Sequence, residues 1–297
     1  MPAGQRPLIR RRLRTELRQE RERAGKSQAE VARKMDWSLS KIIRLEAGQV
    51  GVSTNDLKAL LDLYDVQDQD RRSFFVELAR ASRQQSAWWS AFRDVASSPD
   101  YLDYLGYETD AARILGYFPA MVPALLQTEE YAREIVSIGG IQQLDEDTVD
   151  RLVELRMQRK EHVLDRKDPP TFVAVLDEAV LHHTVGGGEV MSDQLASVAE
   201  VAALSTIEIR VVPFSSGAHP GLSGPFQIFE FSDPADAPIL QSDTAFRSVM
   251  LREERDLIRE YTEGFDRLLD FALSERESVA MIQGVADRVL GDDTESN

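Results

Sequence analysis

The sequence predicts a multidomain chain in which an all-α module of short, closely spaced helices precedes an α+β domain with a mixed or antiparallel sheet flanked by helices. Three observations lead there. Roughly the first 65 residues carry apolar positions at helical spacing between repeated capping residues. β-rich runs begin only after Pro169-Pro170. Charge is also divided, with a net +7 over residues 1–50 and −23 over residues 51–297, within a total of −16. A length of 297 residues accommodates a small module plus one larger core.

Residues 9–23 read as a helix with Leu13 and Leu17 on one side, ended by Ala24-Gly25. Ser27 and Glu30 form a capping box that starts a second helix, running to about Lys34. Ser38 is the N-cap of a third helix ending near Ala47, with Gly48 free to take the left-handed conformation just past its end. Ser53 or Thr54 caps a fourth helix, whose inner stripe is Leu57, Leu60, Leu61 and Tyr64. A fifth, over 68–84, carries Phe74, Phe75 and Leu78. These helices make a first domain over 1–84 with its core at 10–66, and an aromatic stretch with a Ser-Ser-Pro break marks a junction over 85–100.

The second domain is expected over 101–290. Helices are predicted over 101–115, 127–138 and 147–165, the first two separated by Phe118–Pro123, whose two prolines forbid one continuous helix. Strands are predicted over 171–181, 207–214, 225–231 and 237–243, with a further candidate at 248–251. Helices over 189–204, 253–273 and 275–290 complete it, before an acidic tail at 291–297. The segment 215–226, rich in Gly and Ser, is either a long hairpin connection or a ligand-facing loop.

Residues 26–48 have the spacing of a helix-turn-helix. Ala32 is small where another helix must approach, and Ile42 and Leu45 face the core. Leu39, Ser40, Lys41 and Arg44 are left outward as candidate base contacts. Arg44 suits guanine O6/N7, and Leu39 a thymine methyl. Gln28 and Ser38 stand at helix N-termini, where backbone N–H groups attract phosphate, and Arg10, Arg12 and Arg14 would add sequence-independent phosphate contacts.

The run LRQERERAGKSQAEVARKMDWSLSKIIRLEAGQ resembles the XRE/phage-repressor family of helix-turn-helix proteins, whose module is lambda-repressor-like. The resemblance implies that Gln28 clamps a phosphate and that Arg21 pairs with Glu46 to lock the recognition helix. If exposed, such a pair contributes little to stability. VPALLQTEEYA (122–132), LDEAVL (176–181), VMSDQL (190–195), VVPFSSGAHPGLSGPFQIFEF (211–231) and FDRLLDFALSERES (265–278), with Trp88-Trp89 and Glu108, resemble the C-terminal domain of actinobacterial, antitoxin-like regulators. A DNA-binding transcriptional regulator is implied, with a small protein encoded by a neighbouring gene as a partner.

The partners expected are a double-stranded operator and a second copy of the chain, since half-site symmetry is the usual remedy for the modest affinity of one short module. An alternative reading has the C-terminal domain sense a small-molecule ligand. No enzyme, metal or cofactor is expected. Asp177, Glu178, His182 and His183 would diverge on a continuous strand, and Gly186-Gly187-Gly188 lacks the Lys and Ser/Thr of a phosphate loop. No run is apolar enough to span a bilayer and cysteine is absent, so a cytoplasmic location is expected.

Overall fold

A computed structural model of the chain describes residues 7–83, 87–96, 98–138, 144–244, 247–251 and 254–295. The chain divides into two compact units, Met1–Arg93 and Asp94–Asn297.

The first unit is all helical: α1 Pro7–Arg23, α2 Gln28–Lys34, α3 Leu39–Glu46, α4 Thr54–Leu63 and α5 Gln69–Ala81, with a 3₁₀ turn at Trp88–Phe92. Leu13, Leu17, Val31, Ala32, Ile42, Leu45, Leu57, Leu60, Leu61 and Phe75 form its buried core. Four helices end by one device, a residue of positive φ: Gly25, Asp36, Gly48 and Asp65. In each case the next residue's N–H returns to a carbonyl five residues back, as in Trp37 N to Ala32 O (2.8 Å) and Gln49 N to Arg44 O (2.8 Å). Arg71 on α5 clamps α1 by reaching Glu16 (2.5 Å) and Glu20 (2.6 Å).

The second unit is α+β. Its elements in chain order are α6 Pro99–Asp110, β1 Arg113–Phe118, α7 Glu129–Ser137, α8 Glu146–Val163, β2 Thr171–Asp177, α9 Ala179–His182, α10 Gly188–Val201, β3 Ile207–Val212, β4 Phe226–Glu230, β5 Ile239–Thr244, β6 Arg247–Leu251, α11 Arg255–Leu269 and α12 Glu275–Glu295. The six strands lie in the order β3-β2-β1-β4-β5-β6. β1, β2 and β3 are parallel, while β4, β5 and β6 add antiparallel, so the sheet is mixed. Parallel neighbours need long crossovers, which α7-α8 and α9-α10 supply. Leu115, Tyr117, Val173, Val175, Ile228 and Leu240 face one side, against Ile258, Phe265 and Leu268 of α11. The alternate residues face the other side, where Tyr104 of α6 meets Phe229 edge-on (5.6 Å).

Three sequence expectations are corrected. The helix expected over 101–115 ends at Asp110, and 113–118 forms β1, at the centre of the sheet. Sheet pairing overrides local helix propensity there. Ala112 N donates to Glu230 O (2.8 Å) and Thr171 N to Ala112 O (3.0 Å), while the Arg166 guanidinium takes the carbonyls of Thr109 and Ala111. The strand expected to reach 181 stops at Asp177, because the Asp177 carboxylate accepts Ala179 N (2.9 Å) and turns the chain into α9. The last helix continues through the acidic residues to Glu295, and 296–297 lie outside the described residues, as do 84, the last residue of the expected first domain, and 85, 86 and 97 of the expected junction.

The segment 215–226 is not a hairpin connection, since β3 and β4 are not neighbours. It runs from the edge strand β3 to β4, beside β1. His219 lies buried on it, 5.8 Å from the Tyr117 ring.

Candidate nucleic-acid interface

Local chemistry places α2 and α3. The Ser27 hydroxyl accepts Glu30 N (3.2 Å) and the Glu30 carboxylate accepts Ser27 N (2.8 Å), which completes the capping box. The hydrogen bonds from Ser27 hold the Glu30 carboxyl below its ordinary value. Ser38 caps α3 by accepting Lys41 N (3.2 Å), so its hydroxyl is occupied by its own helix. Ala32 is buried, and its lack of bulk lets α3 approach α2.

Ile42 and Leu45 fill the inner face of α3, 0% and 4% exposed. Leu39, Ser40 and Arg44 come together on the outer face, all exposed, with the Arg44 Nε donating to Ser40 O within the helix (3.3 Å). Lys41 is not with them. Its ammonium sits 3.6 Å over the Trp37 ring and 3.4 Å from Asp56. Ile43 joins the outer face instead, 45% exposed beside Leu39 at 47%. Ile43 was not among the expected base contacts, although its place four residues after Leu39, on a helix whose inner face Ile42 and Leu45 already fill, was the available signal.

The scaffold behind this face is ionic and buried. The Arg21 guanidinium is bidentate to Glu46, Nε to Oε1 at 2.6 Å and Nη2 to Oε2 at 3.1 Å, and Arg21 Nη1 also reaches Lys26 O (2.7 Å). The two side chains are only 10% and 6% exposed, so the reservation about a weak exposed pair does not apply. The hydrogen bond it donates to Glu46 keeps the Arg21 guanidinium above its ordinary value despite burial. Gln28 is drawn into the same cluster, donating Nε2 to Glu46 Oε2 (2.8 Å). Burial above all, and then the Glu46 charge, push the Tyr64 hydroxyl well up.

The three arginines of α1 expected at phosphates, Arg10, Arg12 and Arg14, separate. Arg14 donates to Ala47 O at the C-terminus of α3 (2.9 Å), where a cation complements the helix dipole. It crosses close over Gly48, whose positive φ is what favours glycine there. Arg10 lies with Arg14 along the groove lined by 48–53. Arg12 is on another side of α1, 5.5 Å over Phe74 of α5.

In the second unit, Asp177 accepts the Tyr117 hydroxyl (2.9 Å) and Glu178 accepts Phe214 N (2.6 Å). His182 of α9 lies 3.5 Å from Glu178, and His183 faces Ala120 O (3.3 Å), so Asp177 and Glu178 hold the turn after β2 and the start of the 214–226 segment. Gly186 and Gly187 have positive φ and Gly188 begins α10. Among the described residues no group of three His, Asp or Glu is placed to hold a metal ion, and no helix is long and apolar enough to cross a membrane.

A short helix with an exposed, mixed face, carried on a buried scaffold and joined to an α+β unit, defines a helix-turn-helix DNA-binding regulator. Residues 12–74 match the family described as a helix-turn-helix domain. Residues 101–284, more than half of the chain, match the domain of unknown function DUF5753, and the protein belongs to that family. No curated protein and no solved structure matches the chain.

Proposed function

We propose that the protein is a sequence-specific transcriptional regulator that reads a two-fold operator as a homodimer through the outer face of α3. The observation that carries this reading is the exposure of Leu39, Ser40, Ile43 and Arg44 on a helix whose other side is locked by Ile42, Leu45 and the Arg21–Glu46 pair. Arg44 donates to guanine O6/N7, Ser40 to a base edge or phosphate, and Leu39 packs on a thymine methyl. Lys41 reaches the DNA only after leaving Trp37 and Asp56. Gln28 keeps one amide hydrogen for a phosphate while the other holds Glu46, and the N-terminus of α3 behind Ser38 presents backbone N–H groups to another.

Genome-wide footprinting of bound DNA with wild type and Arg44→Ala tests the assignment. The variant is expected to lose the specific sites, at about 1–3 kcal/mol per lost bidentate contact, while retaining salt-sensitive nonspecific binding. An unchanged site pattern would refute it.

A salt titration examines α1 separately. Arg10→Ala and Arg12→Ala are each expected to flatten the slope of log K against log salt by about 0.9 without changing the preferred sequence. Two unchanged slopes would remove these residues from the phosphate contacts, and Arg14→Ala is expected to do more, because it also releases the end of α3.

The C-terminal unit is read as the regulatory part. Its resemblance to antitoxin-like regulators supports a small protein partner encoded nearby, which co-purification with the neighbouring gene product tests. A second reading, ligand sensing by the same unit, is favoured by one observation: a cavity of about 630 Å³ within it.

A further inference from the structure

The cavity lies in the second unit between α6, the 118–127 segment and α8, with Phe172, Gln227 and Gln241 of the sheet at its wall. Its size falls within the usual range of sites for small organic ligands. The VPALLQT motif and Glu108, which have no part in the DNA module, supply wall and charge here.

The wall has two characters. Phe118, Met121, Val122, Pro123, Leu125 and Phe172 make an apolar side. On the other side are two arginines one turn apart on α8. Arg159 is fully answered: Glu108 accepts its Nε (2.9 Å) and Nη2 (2.8 Å), and the Tyr104 hydroxyl lies 2.9 Å from Nη2. Arg156 has no such answer. Its Nη1 donates to Gln127 Oε1 (2.6 Å), and Gln127 is itself fixed by donating Nε2 to Val122 O (2.7 Å). Among the described residues no carboxylate pairs with Arg156, and its Nε and Nη2 have no hydrogen-bond partner. Asp100, the other acid on the wall, is exposed to solvent.

Burial, and then the neighbouring charge of Arg159, hold the Arg156 guanidinium below its ordinary value. A half-buried cation whose hydrogen-bond partner is a neutral amide is costly unless an anion arrives to pair with it. Guanidinium nitrogens in a fixed fork match a carboxylate or a phosphate.

We propose that this cavity binds one small amphipathic organic anion, with its carboxylate or phosphate on Arg156 and its apolar body against Phe118, Met121, Val122 and Phe172. Gln227 and Gln241, hydrogen-bonded to each other (3.0 Å), lie on the same wall and add neutral donors and acceptors that orient a polar substituent. The proposal rests on the ligand-sensing reading and is independent of operator recognition by α3.

The test uses the full chain without DNA and the fluorescent anion 1-anilinonaphthalene-8-sulfonate as probe. Wild type is expected to bind one probe per chain saturably. 4-phenylbutyrate should displace it and the neutral 4-phenylbutyramide should not, and phenyl phosphate in place of the acid tells a phosphate site from a carboxylate site. Arg156→Gln is expected to weaken binding at least about tenfold, with the far-UV spectrum unchanged. Ala124→Phe, which adds a ring to the wall, should abolish binding while leaving Arg156 in place. Equal binding by wild type and both variants, equal displacement by the amide, or no binding by any of the three anions would overturn the proposal. Operator binding, measured in a separate gel-shift assay, can fail without touching these outcomes.

Discussion

Arg159→Met is expected to cost the second unit about 3–5 kcal/mol, because it leaves the Glu108 carboxylate buried without a counter-charge. Glu108 is 0% exposed and Arg159 5%, and the pair is bidentate. Burial works against the charged form of Arg159, but Glu108 and Tyr104 outweigh it and hold the guanidinium well above its ordinary value. Tyr104, pushed far up by burial and then by the Glu108 charge, stays protonated and donates to Glu108 Oε1 (2.8 Å). Urea unfolding followed by far-UV circular dichroism reads the loss. The double replacement Glu108→Leu with Arg159→Met should recover most of it, because neither charge is then stranded. A loss below about 1 kcal/mol for the single variant would mean that water reaches the pair and that it behaves as a surface bridge.

Glu46→Ala is expected to destabilise the first unit by about 2–4 kcal/mol and to reduce operator affinity as well. Arg21 would keep Lys26 O and Glu22 but lose both of its own bonds to the end of α3, leaving Arg14 to Ala47 O, and Gln28 would lose its acceptor. The direction of the DNA effect is the informative part. If Glu46 acted only as a negative charge near phosphate, removing it would tighten binding. If it positions α3, binding weakens and Glu46→Gln, which keeps an acceptor, falls between. Arg44→Ala provides the contrast, since its exposed side chain should change affinity without changing stability. Comparing unfolding midpoints with gel-shift affinities for the three variants separates the two roles.

The first unit was legible because its instructions are local. Ser27 with Glu30, Ser38, Ser53 and Gly48 each act within five residues, and the Leu57, Leu60, Leu61 and Tyr64 stripe follows from helix geometry alone. Asp36 and Asp65 do the work of glycine at two further helix ends, where the sequence carries no glycine to announce it. The second unit was legible as α+β but not strand by strand. Arg113–Phe118 follows a helical run and resembles its continuation, and it becomes a strand because β2 and β4, which begin 58 and 113 residues further on, pair with its two edges.

The same division holds within the candidate interface. Position along the helix assigned Leu39, Ser40 and Arg44 to the outside, and the structure places them there. It could not say that Trp37 and Asp56 would draw Lys41 aside, or that Gln28 would turn to Glu46, since these partners lie on other elements or come into reach only when the helices pack. By itself the sequence determined the class of each unit, the capped helices and the split of charge, because these depend on periodicity and on contacts within a few residues. Only the tertiary structure decided which cations of the second unit are answered. The resemblance had already named Arg21 and Glu46 as partners, but it was the fold that paired Arg159 with Glu108 and left Arg156 facing a cavity with an amide, because charge neutralisation in a protein interior depends on which distant side chains come within hydrogen-bond reach.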